Sequence, residues 1–189
     1  MASILFEAGR LPGVVLFKPQ AFPDRRGYFT EVYHARKYAE AGVAKPFVQD
    51  NYSFSVKHVL RGLHSQVKHP QGKLVYVVQG EVFDVAVDIR RGSPAFGAWE
   101  GHVLSSENHH QLYVPEGFAH GFVVLSESAL VCYKCTDLYA PGDEQGIAWN
   151  DPDLGIAWPV KSPVLGEKDI VLPRLCEVPD DRLPTYQPG

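Results

Sequence analysis

KLVYVVQG (73–80) runs directly into EVFDVAVDI (81–89), and the reading of this pair decides the fold. In the second run Phe83, Val85, Val87 and Ile89 fall on one face, and Val82, Asp84, Ala86 and Asp88 on the other. That period of two is the signature of a β-strand, because successive side chains point to opposite sides. Gly80 between the runs reads as a hairpin turn. Working outward, VVLFK (14–18), GYFTEVY (27–33), FVQDNYSF (47–54), VLRGLHSQ (59–66), QLYVP (111–115), GFVVL (121–125) and ALVCYKCTD (129–137) are rich in Val, Phe and Tyr and read as further strands. Fifteen Pro and 17 Gly separate them. Strands at roughly 8–12-residue spacing with turn signals between them imply a sandwich or barrel. One helix is expected, HARKYAEAG (34–42), stopping at Gly42. From Pro141 the chain turns irregular, although LGIAW (154–158) and VLGEKDIVL (164–172) could dock on the barrel. The expectation is an all-β jelly roll, one domain over 1–189, with a long C-terminal extension.

Composition narrows the partners. The 189 residues are 45% hydrophobic and 21% charged, ordinary for a globular protein with a sizeable core. A net charge of -4, with basic residues no denser than Arg25-Arg26 and Arg90-Arg91, argues against duplex nucleic acid and anionic membrane. An anionic small molecule needs only a few local Arg and Lys. The opening MASILFEAGRLPG lacks a charged start followed by an apolar core, and no run is long enough to span a bilayer. Three cysteines, at 132, 135 and 176, are too few and odd in number for a disulfide framework, so a reduced, cytoplasmic protein is expected.

Two places could hold metal, and neither set of donors is adequate. Cys132 and Cys135 form a CxxC, but there is no second pair, and residues three apart on a strand face opposite sides. Jelly rolls of the cupin type bind metal through His-x-His on one strand and a His on a later one. Here His64 is followed by Ser65 and Gln66, and only His120, in PEGFAHGF (115–122), fits the later position. Two histidines and a glutamine are weak transition-metal donors, so no metal and no cofactor are expected. A lone strand histidine is most often a core residue bonded to its neighbours. Arg61, Lys73, His120, Tyr133, Tyr139 and Asp169 lift His64 above that reading if they converge in a barrel mouth. Three smaller readings stay open. Asp84 could pair with Lys73 and make both structural. Tyr139 could be core or rim. Arg61 and His64, three apart, would face opposite sides unless Gly62 forms a bulge, which predicts irregular geometry over 61–64.

The motifs DRRGYFTE (24–31), FVQDNYS (47–53), VLRGLHSQ (59–66), QGKLVYVVQGEVFDVAVDIRRGSP (71–94), VPEGFAHGFVVLS (114–126), YKCTDLYAP (133–141), GIAWNDP (146–152) and GEKDI (166–170) together resemble the dTDP-4-dehydrorhamnose 3,5-epimerase family. The likeness runs from about Val15 to about Leu175. It implies a cupin-like double-stranded β-helix, a homodimer exchanging N-terminal strands, no metal and a dTDP-sugar substrate. By the same resemblance His64 is the general base, Asp169 the carboxylate that orients it, Tyr133 the general acid and Lys73 the cation beside the substrate ketone. His120 lines the pocket. Arg26, Glu31, Gln49, Asp50, Asn51, Arg61, Glu144 and Lys168 match nucleotide-sugar contacts, and Phe29 and Tyr139 flank the thymine. Relatives with the same motifs epimerise one carbon only or isomerise the ketone. Two positions depart from the family pattern: Ser65 stands where an aromatic is usual, and Leu138 where a second Tyr is frequent.

Overall fold

The computed structural model describes residues 4–187. Along the chain lie β1 (Leu5–Ala8), β2 (Val15–Lys18), β3 (Ala21–Asp24), β4 (Gly27–Thr30), α1 (Ala35–Glu40), β5 (Gln49–Val56), β6 (Val59–Gln66) and β7 (Lys73–Gln79). They are followed by β8 (Glu81–Asp88), β9 (Trp99–Ser105), β10 (Gln111–Val114), β11 (Phe118–Val124), β12 (Ser128–Cys135), β13 (Glu144–Gly146), β14 (Val164–Leu165) and α2 (Glu167–Ile170). One sheet runs β1-β2-β10-β7-β12-β5 and the other β13-β6-β11-β8-β9, with β14 parallel to β6. Strands distant in sequence alternate as neighbours, β10 between β2 and β7 and β11 between β6 and β8, which makes the molecule a cupin-like jelly roll.

The hairpin read from residues 73–89 does turn at Gly80, with φ +82. Its two strands then join different sheets, so the turn is a corner between layers. Both faces of β8 are buried, for different reasons. Val82 and Ala86 join Leu104, Phe122, Val124 and Val131 in the barrel interior. Val85, Val87 and Ile89 pack outside the barrel with Leu63, Ala119, Ile147, Leu154 and Leu175. The irregular region after Pro141 is therefore an outer layer over the second sheet. LGIAW forms no strand but docks through Leu154, Ile156 and Trp158. VLGEKDIVL supplies the two-residue β14 and the single turn α2.

On the first sheet, α1 is shorter than expected and ends where Gly42 adopts φ +87. Its fully buried Tyr38 stacks on Phe17 at 4.2 Å, and the hydroxyl donates to Gln111 Oε1 at 2.7 Å. The strand expected over 27–33 stops at Thr30, because β3 and β4 pair only with each other and stand apart from both main sheets.

The expected irregularity lies in β6. His120 pairs with His64 and Phe122 with Arg61, so three steps on β6 oppose two on β11. Gly62 takes φ +116, and a Cβ there would lie 2.6 Å from Gly121 Cα and 2.7 Å from the His120 carbonyl oxygen. Only glycine fits a backbone this close to the next strand. The extra residue turns Arg61 and His64 toward one cavity.

Candidate active site

A cavity of about 660 Å³ opens at one end of the barrel, with β5, β6, β7, β11 and β12 as its walls and α2 at its rim. His64 enters from β6 with its side chain 42% exposed, and its Nε2 lies 2.6 Å from Asp169 Oδ1. Asp169 is buried in α2, and its other oxygen accepts the Gly62 backbone N–H at 3.5 Å. A carboxylate on one ring nitrogen fixes the imidazole's orientation and tautomer and leaves the other nitrogen for chemistry.

Lys73 begins β7, between Val114 of β10 and Cys135 of β12. It makes no ion pair among the described residues. Burial holds its ammonium below the usual lysine range, while Cys135 and Asp84 act in the opposite direction. Tyr133 projects from β12, and burial, reinforced by Cys135 and opposed by Arg61, pushes its phenol up. It therefore stays protonated at neutral pH and able to donate.

His120, on β11, stands in register beside His64, and its Nε2 lies 2.8 Å from Asp84 Oδ2. Asp84 is thus the partner of His120, and no Lys73–Asp84 ion pair forms. Arg61 Nε donates to Ser55 Oγ at 3.0 Å. Gln49 accepts the Tyr139 N–H at 2.8 Å and donates to Asn51 Oδ1 at 3.0 Å. Tyr139 is a rim residue, 48% exposed, rather than core. Glu144 and Lys168 pair at 3.4 Å across the mouth.

Eleven of the fifteen residues singled out in the sequence line this cavity: Gln49, Asn51, Arg61, His64, Lys73, His120, Tyr133, Tyr139, Glu144, Lys168 and Asp169. Arg26, Phe29, Glu31 and Asp50 do not. Arg26 pairs with Asp24, Glu31 with Lys37, and Phe29 is 70% exposed on the β3–β4 hairpin, away from the barrel. Asp50 alternates to the far side of β5 from Gln49 and Asn51 and pairs with Lys134 at 2.9 Å.

Gln66, which the sequence offered only as a failed metal ligand, also lines the cavity. Its amide accepts the Ala140 N–H at 2.9 Å and donates to the His69 and Leu138 carbonyls, holding the loop that carries Tyr139. Its position two residues from His64, on the same strand face, was the available signal. Ser53, two residues from Asn51, is a second such case, and its buried hydroxyl has no partner among the described residues. Among the described residues no group of three or more His, Cys, Asp or Glu is arranged to hold a metal ion. The cysteines are free, Cys135 buried and Cys132 half-buried.

A jelly roll here gathers a His–carboxylate pair, a protonated phenol and a lysine unpaired among the described residues around one cavity, groups of the kind that exchange protons with a bound small molecule. Comparison with known proteins makes that class specific. The dTDP-4-dehydrorhamnose 3,5-epimerase family matches residues 8–177. The chain is 57% identical over 161 residues to the dTDP-4-dehydrorhamnose 3,5-epimerase of Pseudomonas aeruginosa, covering 84% of this chain and 89% of that protein. It is 41% identical over 180 residues to a dTDP-4-dehydrorhamnose 3-epimerase of Streptomyces niveus, covering 93% and 86%. Among solved structures, dTDP-6-deoxy-D-glucose-3,5-epimerase from Legionella pneumophila in complex with dTDP-4-keto-L-rhamnose superposes with TM-score 0.95 at 47% identity, covering 98% of this chain and all of that one. The chain belongs to the dTDP-4-dehydrorhamnose 3,5-epimerase family.

Proposed function

We propose that this chain epimerises dTDP-4-keto-6-deoxy-D-glucose at carbons 3 and 5 to dTDP-4-keto-L-rhamnose, without a cofactor. The observation that carries the reading is the 2.6 Å His64–Asp169 contact in a cavity shared with Lys73 and Tyr133. A C–H beside a ketone is weakly acidic, so its removal needs a positioned base and a stabilised enolate. The free nitrogen of His64 takes that proton, and Asp169 stabilises the imidazolium that results. Lys73 meets the charge developing on the ketone oxygen, an interaction of a kind worth about 3–4 kcal/mol in comparable sites. Tyr133 returns a proton to the opposite face, which inverts the carbon. One ketone acidifies both carbons, so the same groups serve two rounds after the ring turns.

Arg61 and Lys168 then hold the pyrophosphate, Gln49, Asn51 and Glu144 the sugar and nucleoside hydroxyls, and Tyr139 stacks on thymine. The hairpin carrying Arg26, Phe29 and Glu31 reaches the cavity of a second copy in a homodimer. Its exposed Phe22, Tyr28 and Phe29, together with Tyr52, Phe54 and Val56 on the outer face of edge strand β5, are apolar surface of the kind two copies would cover. Among the described residues no helix is long and apolar enough to cross a membrane. Free thiols agree with the reducing cytoplasm as the site of action.

One observation favours a second reading. Ser65, beside the base, lines the cavity at the position where the family pattern that the sequence resembles usually has an aromatic. Extra room there would let the sugar turn less reliably, giving epimerisation at carbon 3 alone. The roles are tested by His64→Ala and Tyr133→Phe, each expected to lower kcat by about 10² to 10⁴ with an unchanged melting temperature. Wild-type turnover in either variant removes its assigned role.

A further inference from the structure

Asp84 lies midway along EVFDVAVDI, on the inward face with Val82 and Ala86, and is completely buried. A carboxylate in such surroundings is costly unless its oxygens are satisfied. Oδ2 meets His120 Nε2 at 2.8 Å, whereas Oδ1 has no partner among the described residues. Two groups facing the cavity are also open. Among the described residues Lys73 has no counter-ion, and the second ring nitrogen of His120, a residue 9% exposed, makes no hydrogen bond. A core pair whose only task was packing would leave none of these open, since buried polar groups in native proteins are nearly always bonded.

We propose that Asp84 is a positioning residue for the reaction: it holds His120 through Oδ2 and, through the field of its open Oδ1, orients Lys73 without pairing with it, so that Lys73 and a protonated His120 converge on the ketone oxygen of the bound sugar. This rests on the keto-sugar reading of the site. With Nε2–H directed at Asp84 the ring is held in one orientation, and in its protonated form Nδ1–H faces the cavity as a second donor beside Lys73. The enolate is then met by two donors set in place before the proton leaves, which lowers the barrier without reorganisation. His120 faces the cavity while Asp84 sits behind it, so Asp84 acts through its neighbours and not on the sugar itself.

Asp84→Asn keeps the shape and removes the charge. Its kcat is expected to fall about 100-fold, the loss that follows small misplacement of reacting groups. KM should change little, because the nucleotide contacts lie on other strands. In ¹⁵N spectra of the imidazoles, wild-type His120 should hold its Nε2 proton, and the variant should lose that fixed state. A kcat within about twofold of wild type overturns the proposal, and so does a kcat loss with unaltered His120 resonances. If Asp84→Asn does not fold, the wild-type protein decides. His120 Nδ1 should shift on adding the keto-sugar nucleotide and not on adding dTDP, and equal shifts with both overturn the assignment. Failure of the underlying reading looks different: wild-type protein would then exchange no sugar proton with solvent.

Discussion

Burial holds the Lys73 ammonium below the 10.5 of a free lysine. Between the lowered value and 10.5 the unfolded chain binds more protons than the folded one, so this residue's contribution to stability rises with pH across that window. Below the window the buried cation is a net cost to the fold. Lys73→Met is therefore expected to raise the melting temperature while abolishing turnover, the pattern of a group retained for function. The same shift places the alkaline fall of kcat below that of an ordinary lysine, ahead of Tyr133, whose phenol is moved upward. A Lys73→Met protein that melts lower, or that still turns over, would contradict this. Residue identities were legible here, but partnerships were not. His64 and Asp169 are 105 positions apart, and their pairing came from resemblance alone. Asp84 was read against Lys73 because alternation shows which face a side chain takes, and says nothing of the strand across from it.

At the scale of elements, the β6 bulge sets the geometry of the site. Gly62→Ala places a methyl group against the backbone of β11 in a left-handed conformation, and a loss of stability of about 1–3 kcal/mol is expected. Differential scanning calorimetry with kcat measured on the same sample checks it. Both should fall, since Arg61 and His64 flank the distorted segment, and a wild-type melting point would show that the bulge tolerates a side chain. This bulge was readable because a strand glycine lay between two residues needing one face. Strand β9 was not, because WEGHVLS buries Glu100, a carboxylate satisfied by the Leu11 N–H at 2.8 Å and by His102 at 3.2 Å. Tertiary hydrogen bonds allow a charge where pattern reading expects an apolar residue. LGIAW misled in the opposite sense, being apolar enough for a strand yet anchored only through side chains.

The whole molecule was half legible. Many short β-runs with turns between them imply a jelly roll, but the order of strands depends on contacts between distant segments and leaves no local trace. Nor does any local pattern distinguish a hairpin that serves its own barrel from one that serves another. Here it leaves Arg26, Phe29 and Glu31 outside their own cavity. Exchange between two copies makes a specific expectation. Mixing inactive His64→Ala with an Arg26→Ala/Phe29→Ala variant, then unfolding and refolding them together, should restore activity. In the mixed dimer one intact cavity receives an intact hairpin. No recovery, with dimers present by light scattering, would mean the hairpin serves its own chain.

The proposed reaction itself is read most directly by NMR of the product formed from dTDP-4-keto-6-deoxy-D-glucose in deuterated water. Solvent deuterium is expected at both carbon 3 and carbon 5, with the configuration inverted at each. Label at carbon 3 alone would contradict double epimerisation and favour the Ser65-based reading, and label at neither carbon would contradict the proton-transfer mechanism altogether.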